Sequence, residues 1–110
     1  MSMQRQISEP DWKLFRRLRE VALQRFCERV LSEIGHLASH TEPTAHERYL
    51  AVYKLVQRRN KELAQAFDDL RRSTAWPCLA LMRSRGLLTD EEFAGFSSET
   101  QAAVQIWLGK

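Results

Sequence analysis

Two long stretches of this 110-residue chain contain neither glycine nor proline, the two residues that most often interrupt helices. They cover residues 11–34 and 44–74, and both are rich in Leu, Ala, Arg, Glu, Gln and Lys, which favour helices. No window shows the alternation of a half-buried strand. We therefore expect an all-α chain whose architecture is dominated by two helices.

Signals that start and stop helices set the expected boundaries. Four pairs are typical of capping boxes, in which two side chains satisfy free N–H groups at a helix start: Ser8 with Asp11, Thr44 with Glu47, Thr89 with Glu92, and Ser98 with Gln101. Gly35 and Gly86 stand where left-handed stops are expected. We predict a long antiparallel hairpin, with helices at about 9–35 and 44–72, packed with two or three shorter C-terminal helices.

The length and the sequence ends complete the predicted organisation. A chain of this length forms one domain, 1–110, and we expect residues 1–7 to be a disordered tail. Pro77 leaves two alternatives open, because it either occupies the first turn of a third helix or kinks a continuation of the second.

The second long helix carries a regular stripe that is typical of a helix–helix seam. Spacings of four and three alternate through Tyr49, Tyr53, Val56, Asn60, Leu63, Phe67 and Leu70. Antiparallel pairing puts Glu33 opposite Tyr49, and Arg29 opposite Tyr53. We expect these four side chains to form a buried polar network. The amide of Asn60 would fix the register, because a buried polar group without a partner is costly.

The same polar residues allow a second interpretation, a ligand pocket within the bundle. Arg19 and Arg59 lie on or beside the apolar faces of the two long helices, and the expected pairing brings Arg19 close to Asn60. Two guanidinium groups at one pocket would bind a small anionic ligand. Both interpretations remain open at this point, and neither includes a cofactor.

The three histidines of the chain lie close together in the sequence. His36 and His40 have the i,i+4 spacing that presents two imidazoles on one helical face, as metal sites require. However, Gly35 and Thr44 place them in a link between helices, without a third ligand at a fixed spacing. We expect surface histidines, and the alternative is a metal site formed by His36, His40 and His46.

The net charge of +3 is not concentrated in one block, because acids and bases are interleaved along the chain. Arginines nevertheless recur in pairs, so a nucleic-acid-associated regulator with an arginine-rich helix surface is an alternative function. A helix-turn-helix made of two short helices joined at Gly86 is disfavoured. Its second helix would begin with Asp90, Glu91 and Glu92, which would repel the phosphates of a major groove.

Other functional classes find little support in the sequence. Cys27 and Cys78 are too few for a disulfide framework, and no export signal stands at the N-terminus. The longest apolar run, 75–82, is too short to cross a bilayer. We expect a cytoplasmic protein that does not contact membranes. Glycine-rich phosphate loops and nucleophile elbows are absent from the sequence, so no reaction is indicated.

The favoured interpretation is a protein-interaction module. The hairpin has broad apolar faces, and the last 35 or so residues supply too few large side chains to cover both of them. Trp12, Trp76 and Trp107 are candidate interface residues, because tryptophan is enriched at interface hot spots. A twofold homodimer is the commonest way for a small helical protein to bury such surface, and another protein is the alternative partner.

Two segments of the sequence read DWKLFRRLREVALQRFC at 11–27 and GLLTDEEF…FSSET at 86–100. They resemble a small family of uncharacterised all-helical proteobacterial proteins, and the resemblance covers nearly the whole chain. Some members carry a peptide-transporter substrate-binding label. This sequence has no strands, no export signal and no room for two lobes, so the resemblance implies a helical fold and no functional residue.

Overall fold

Helices make up most of the computed structural model, which describes residues 6–109 and has no strand among them. The elements in chain order are α1 (Glu9–Ser39), α2 (Ala45–Phe67), a short 3₁₀ turn (Arg72–Thr74), α3 (Ala75–Ser84), α4 (Asp90–Ala94) and α5 (Ser98–Trp107). The predicted fold is confirmed, because the long helix α1 packs against α2 and against the shorter C-terminal helices.

The two long helices end at different residues from those predicted. Gly35 does not stop α1, which continues to Ser39, because an isolated glycine weakens a helix by about 1 kcal/mol without ending it. The second helix ends at Phe67 rather than near residue 72. The guanidinium of Arg19 donates to the Phe67 carbonyl, and so satisfies one of the acceptors left free at that helix end.

The predicted caps have mixed outcomes. Thr44 and Thr89 cap α2 and α4 as predicted, and Thr89 forms a complete capping box with Glu92. The Ser8 side chain does not cap α1. The fourth cap was predicted one residue too late, because the Ser97 hydroxyl accepts the hydrogen bond at the start of α5.

Gly86 stops α3 as predicted, and its φ of +67° lies in the left-handed region that favours glycine. The N–H of Leu87 donates to the carbonyl of Met82 at 2.9 Å, a bond typical of a Schellman turn. Pro77 lies in the first turn of α3, which decides between the two alternatives for this proline in favour of a new helix.

The core lies where the first half of α1 meets the C-terminal helices. Its largest fully buried apolar side chains are Phe15, Phe67, Leu79, Met82, Leu87 and Val104. Ile7 is also buried there, so the expected disordered tail does not extend to it. Residues 1–5 of that tail lie outside the described residues. The hairpin extends well past this core, and the molecule measures 64 × 25 × 23 Å.

Candidate protein interface

The part of the hairpin beyond the core is poorly covered. Among residues 27–65, all of which the structure describes, Leu55 is the only buried residue. The stretch includes the second half of α1 and most of α2. The end of α3 contacts this stretch on one side only, so the other side lacks the second layer that usually buries an apolar helix face.

One side of the hairpin is occupied by charged residues and faces the C-terminal helices. A cleft of about 260 Å³ opens between α1, α2 and the turn after α3. We call it the charged cleft. It is lined by Phe26, Arg29, Val30, Glu33, Arg59, Glu62, Arg85 and Leu87. Arg59 joins the two long helices by donating two hydrogen bonds to Glu33, of 3.0 and 2.9 Å, and it also pairs with Glu62.

These ion pairs shift the pKa values of the groups that form them. The hydrogen bonds to Glu33, followed by the bond to Glu62, raise the pKa of Arg59 above its ordinary value. In turn, the bonds from Arg59 lower the pKa of Glu33, and the charge of Arg58 adds to that effect through space. Both partners are therefore ionised at neutral pH, and Arg59 is held by carboxylates of its own chain.

The opposite side of the hairpin has no charged residue. At 100° per residue, its α1 members fall within an arc of about 60° and its α2 members within about 100°. These residues, here called the hairpin face, are Cys27, Leu31 and Ile34 of α1 with Tyr49, Val52, Tyr53 and Val56 of α2. The two arcs are rotated by about 120° and 100°, respectively, from the mean direction of the cleft-lining residues of the same helices.

Large side chains of the hairpin face are exposed to solvent. Leu31 and Tyr49 each retain 66% of their accessible surface and Tyr53 retains 54%, while the other four members are half-buried. Next to the face, Gln57 donates a 3.1 Å hydrogen bond to the Tyr53 hydroxyl. The result is an uncharged group of exposed and half-buried apolar side chains with two tyrosine hydroxyls, which is typical of a protein contact and unusual for a solvated helix.

The predicted buried network of Arg29, Glu33, Tyr49 and Tyr53 does not form. The two tyrosines are exposed, and Glu33 pairs with Arg59 because a guanidinium offers a carboxylate two parallel donors where a tyrosine offers one. Arg29 is exposed and donates to the carbonyls of Arg85 and Gly86 at 2.8 and 2.6 Å, which ties the end of α3 to α1.

The ligand pocket that the second interpretation placed between Arg19 and Arg59 is not present, because the two guanidiniums line different surface hollows. Arg19 packs over the Phe67 ring and bonds the carbonyl of that residue, whereas Arg59 is held in the charged cleft. Asn60 is exposed and therefore does not fix the register of the two helices. Arg19 and Arg59 are therefore each held by groups of their own chain, at separate places.

The three tryptophans differ in their surroundings. Trp12 is half-buried, stacks on Phe15 and contacts the guanidinium of Arg72. Trp76 is also half-buried and donates a 3.1 Å hydrogen bond to the Thr100 hydroxyl. Trp107 is 60% exposed and borders an apolar groove between α3 and α5. Of the three, only Trp107 presents most of its surface to solvent.

The histidines are exposed and lie at the tip of the hairpin. His36 belongs to the last turns of α1 and not to a link. Its ring packs edge to face against that of His40, with 5.1 Å between the two ring centroids. His46 lies in the first turn of α2. Within residues 6–109, no group of three potential ligands from His, Cys, Asp and Glu is close enough to hold a metal ion.

Two polar contacts and one member of the hairpin face were not anticipated from the sequence. Arg25 forms a double hydrogen bond with Glu92, of 2.6 and 2.9 Å, and this lowers the pKa of Glu92 to about 2. Asp11 is buried against α5. Leu31 was not singled out from the sequence, although its spacing from Cys27 and Ile34 is the signal that identifies it.

No protein-family model, curated protein or solved structure matches this chain. In the described part of the chain, no helix combines the length and the hydropathy that crossing a bilayer requires. Any functional assignment therefore depends on the geometry of the hairpin and its surfaces.

Proposed function

We propose that this chain is a non-enzymatic protein-interaction module of the cytoplasm, and that it forms a homodimer through the hairpin face. The observation that carries the proposal is the uncharged surface of Leu31, Tyr49 and Tyr53 on a part of the hairpin where Leu55 alone is buried. Burying this surface removes apolar area from water, which is favourable by about 25 cal/mol per Å².

A second hairpin is the occupant that best suits this surface. Two antiparallel helices that pack against two more form a four-helix bundle, the usual way in which helical hairpins complete a core. In a twofold dimer the same patch meets itself, so a charged patch would bring like charges together. The hairpin face has no charged residue that would repel a second copy of the same face. Its two tyrosine hydroxyls can form hydrogen bonds across the contact.

A second apolar surface supports binding to a different protein in addition. Ile106 is 76% exposed, and the neighbouring Trp107 borders the groove between α3 and α5. This groove lies on the C-terminal helices, so it remains open when two hairpins pair. It provides a place for a partner protein that does not compete with dimer formation.

The proposal is tested by substituting exposed members of the hairpin face with lysine. Leu31→Lys and Tyr53→Lys put a charge into the dimer contact but alter no buried position of the monomer. We expect each to weaken dimerisation by at least about tenfold, equivalent to about 1.4 kcal/mol. Light scattering coupled to size exclusion measures the mass of each variant.

Ile106→Lys is the matched control, because it places the same charge on an equally exposed aliphatic residue outside the hairpin face. We expect this variant to remain a dimer. A wild-type chain that stays monomeric at every concentration would contradict the proposal. So would an Ile106→Lys variant that dissociates while Leu31→Lys and Tyr53→Lys remain dimeric.

A further inference from the structure

The middle of α2 contains cations without any acid between them. Residues 48–61 include five bases, namely Arg48, Lys54, Arg58, Arg59 and Lys61, and no Asp or Glu. The flanking acids are Glu47 and Glu62. The segment therefore concentrates positive charge on one helix.

The structure separates these five bases into two groups. Arg48 donates to the carbonyls of Pro43 and Ala38, and Arg59 is held by its two glutamates. Lys54, Arg58 and Lys61 are exposed and form no ion pair with any acid of residues 6–109. We call these three residues the basic stripe.

The basic stripe forms a regular, open surface. Its members border a shallow hollow together with Gln57, and no aliphatic or aromatic side chain lines that hollow. Spacings of four and three residues separate the cations by about 6 and 4.5 Å along the helix axis. At 100° per residue the stripe is rotated by well over 100° from Tyr49 at the centre of the hairpin face, so it stays exposed in a dimer.

We propose that the basic stripe binds the phosphate backbone of duplex nucleic acid without reading its sequence. Three exposed cations in a row that form no ion pair complement a linear polyanion, and releasing its counterions supplies the affinity. A bilayer is a poorer match, since the hollow has no apolar side chain to enter the lipid. Docking through α4 is excluded, because this five-residue helix begins with three acids.

The experiment is a titration of a fluorescent mixed-sequence DNA duplex with the whole chain, followed by anisotropy at several salt concentrations. Three phosphate contacts predict a slope of log Kobs against log salt near −2.7, which is about a 40-fold loss of affinity between about 50 and 200 mM salt. The variant Lys54→Gln/Arg58→Gln/Lys61→Gln should lose measurable binding. Its helical circular dichroism should be unchanged, because these side chains are exposed and form no ion pair within residues 6–109.

The matched control is Lys13→Gln/Arg16→Gln/Arg17→Gln, which removes the same charge from three exposed residues of α1. It should retain the wild-type slope. Absence of binding at low salt would overturn the proposal, as would equal losses in the two triple variants. Displacement of the duplex by poly-glutamate at equal charge would reassign the stripe to an acidic protein, and equal binding to anionic vesicles would reassign it to a membrane.

This test is independent of the homodimer. Light scattering on the basic-stripe variant reports the oligomeric state, and we expect it to match the wild type. A monomer that still binds DNA through the stripe would reject the proposed dimer and leave the stripe proposal intact. A dimer that does not bind DNA would reject the stripe proposal and leave the proposed dimer intact.

Discussion

Asp11 accepts a 2.6 Å hydrogen bond from the hydroxyl of Thr100, which joins the first turn of α1 to α5 near the other end of the chain. The same carboxylate accepts from the backbone N–H and the hydroxyl of Ser97, the N-cap residue of α5. Burial opposes ionisation of Asp11, but these hydrogen bonds outweigh it and lower the pKa of the carboxyl. One buried charge thus anchors the C-terminal helix to α1.

We predict that Asp11→Asn destabilises the fold by about 1–3 kcal/mol, because the amide keeps the shape but loses the charge that the three donors face. Urea unfolding at neutral pH measures the change. Glu99→Gln is the control, since it removes an exposed acid from the same helix that Asp11 anchors. An Asp11→Asn variant as stable as this control would show that the contact contributes little.

Acid should destabilise the protein through Glu92. The hydrogen bonds from Arg25 are the main cause of its pKa of about 2 in the folded state, below the ordinary value of 4.5. A lowered pKa means that the folded state binds fewer protons than the unfolded state, so the stabilisation is complete above about pH 5 and is lost as pH falls toward 2. Urea unfolding across this range should show the loss.

Glu92→Gln isolates this effect. Glutamine can still accept the N–H of Thr89, so the helix cap survives while the ion pair with Arg25 is lost. At neutral pH we expect a cost below about 1 kcal/mol, because the pair is partly exposed, together with a shallower pH dependence. Glu91→Gln removes the neighbouring exposed acid and should keep the wild-type profile. Identical profiles for the two variants would contradict the assignment.

Two glycine-to-alanine changes should have opposite signs. Gly86→Ala forces a side chain into the left-handed region at φ +67° and should cost about 1–2 kcal/mol, although a Cβ would meet Arg29 at an ordinary 3.9 Å. Gly35→Ala adds a Cβ with nothing within 4 Å inside the last turns of α1, and should stabilise by about 0.5–1 kcal/mol. Thermal unfolding compares them, and equal signs would contradict the backbone argument.

The two cysteines should differ in reactivity. Burial, followed by the charge of Asp69, raises the pKa of the Cys78 thiol, so this residue should react only on unfolding. Cys27 is half-buried on the hairpin face and should react first with a thiol reagent. If that face pairs with a copy, the rate at Cys27 should fall as protein concentration rises. A rate that is independent of concentration would count against the pairing, and Cys27→Ser identifies the residue.

The sequence predicted the helices well because local signals define them. Thr44, Thr89 and Gly86 act through atoms within a few residues, and the structure has them in the predicted roles. Gly35 was misleading, since a helix tolerates a glycine where nothing else ends it. The error shows that a single stop signal is weaker than a cap with its bonding partner.

The sequence could not show which apolar stripe of α2 faces α1. The stripe that contains Tyr49 and Tyr53 is regular and was expected to face α1. In the structure, Leu55 lies against α1 instead, and Arg59 contacts α1 by donating to Glu33. An amphipathic pattern predicts that one face of a helix is apolar. It does not indicate whether the same chain or another molecule covers that face. The sequence also placed Arg59 in a ligand pocket, which was wrong for a related reason. Its carboxylate partners, Glu33 and Glu62, belong to two different helices, and only the folded packing brings all three side chains together.

Sedimentation equilibrium of the wild-type chain over a hundredfold range of concentration tests the central claim most directly. We predict an apparent mass that rises from the chain mass of 12.9 kDa to twice that value and no further, because a twofold contact between hairpin faces closes on itself. A mass that stays at 12.9 kDa over the whole range would contradict the account, and so would one that keeps rising beyond two chains.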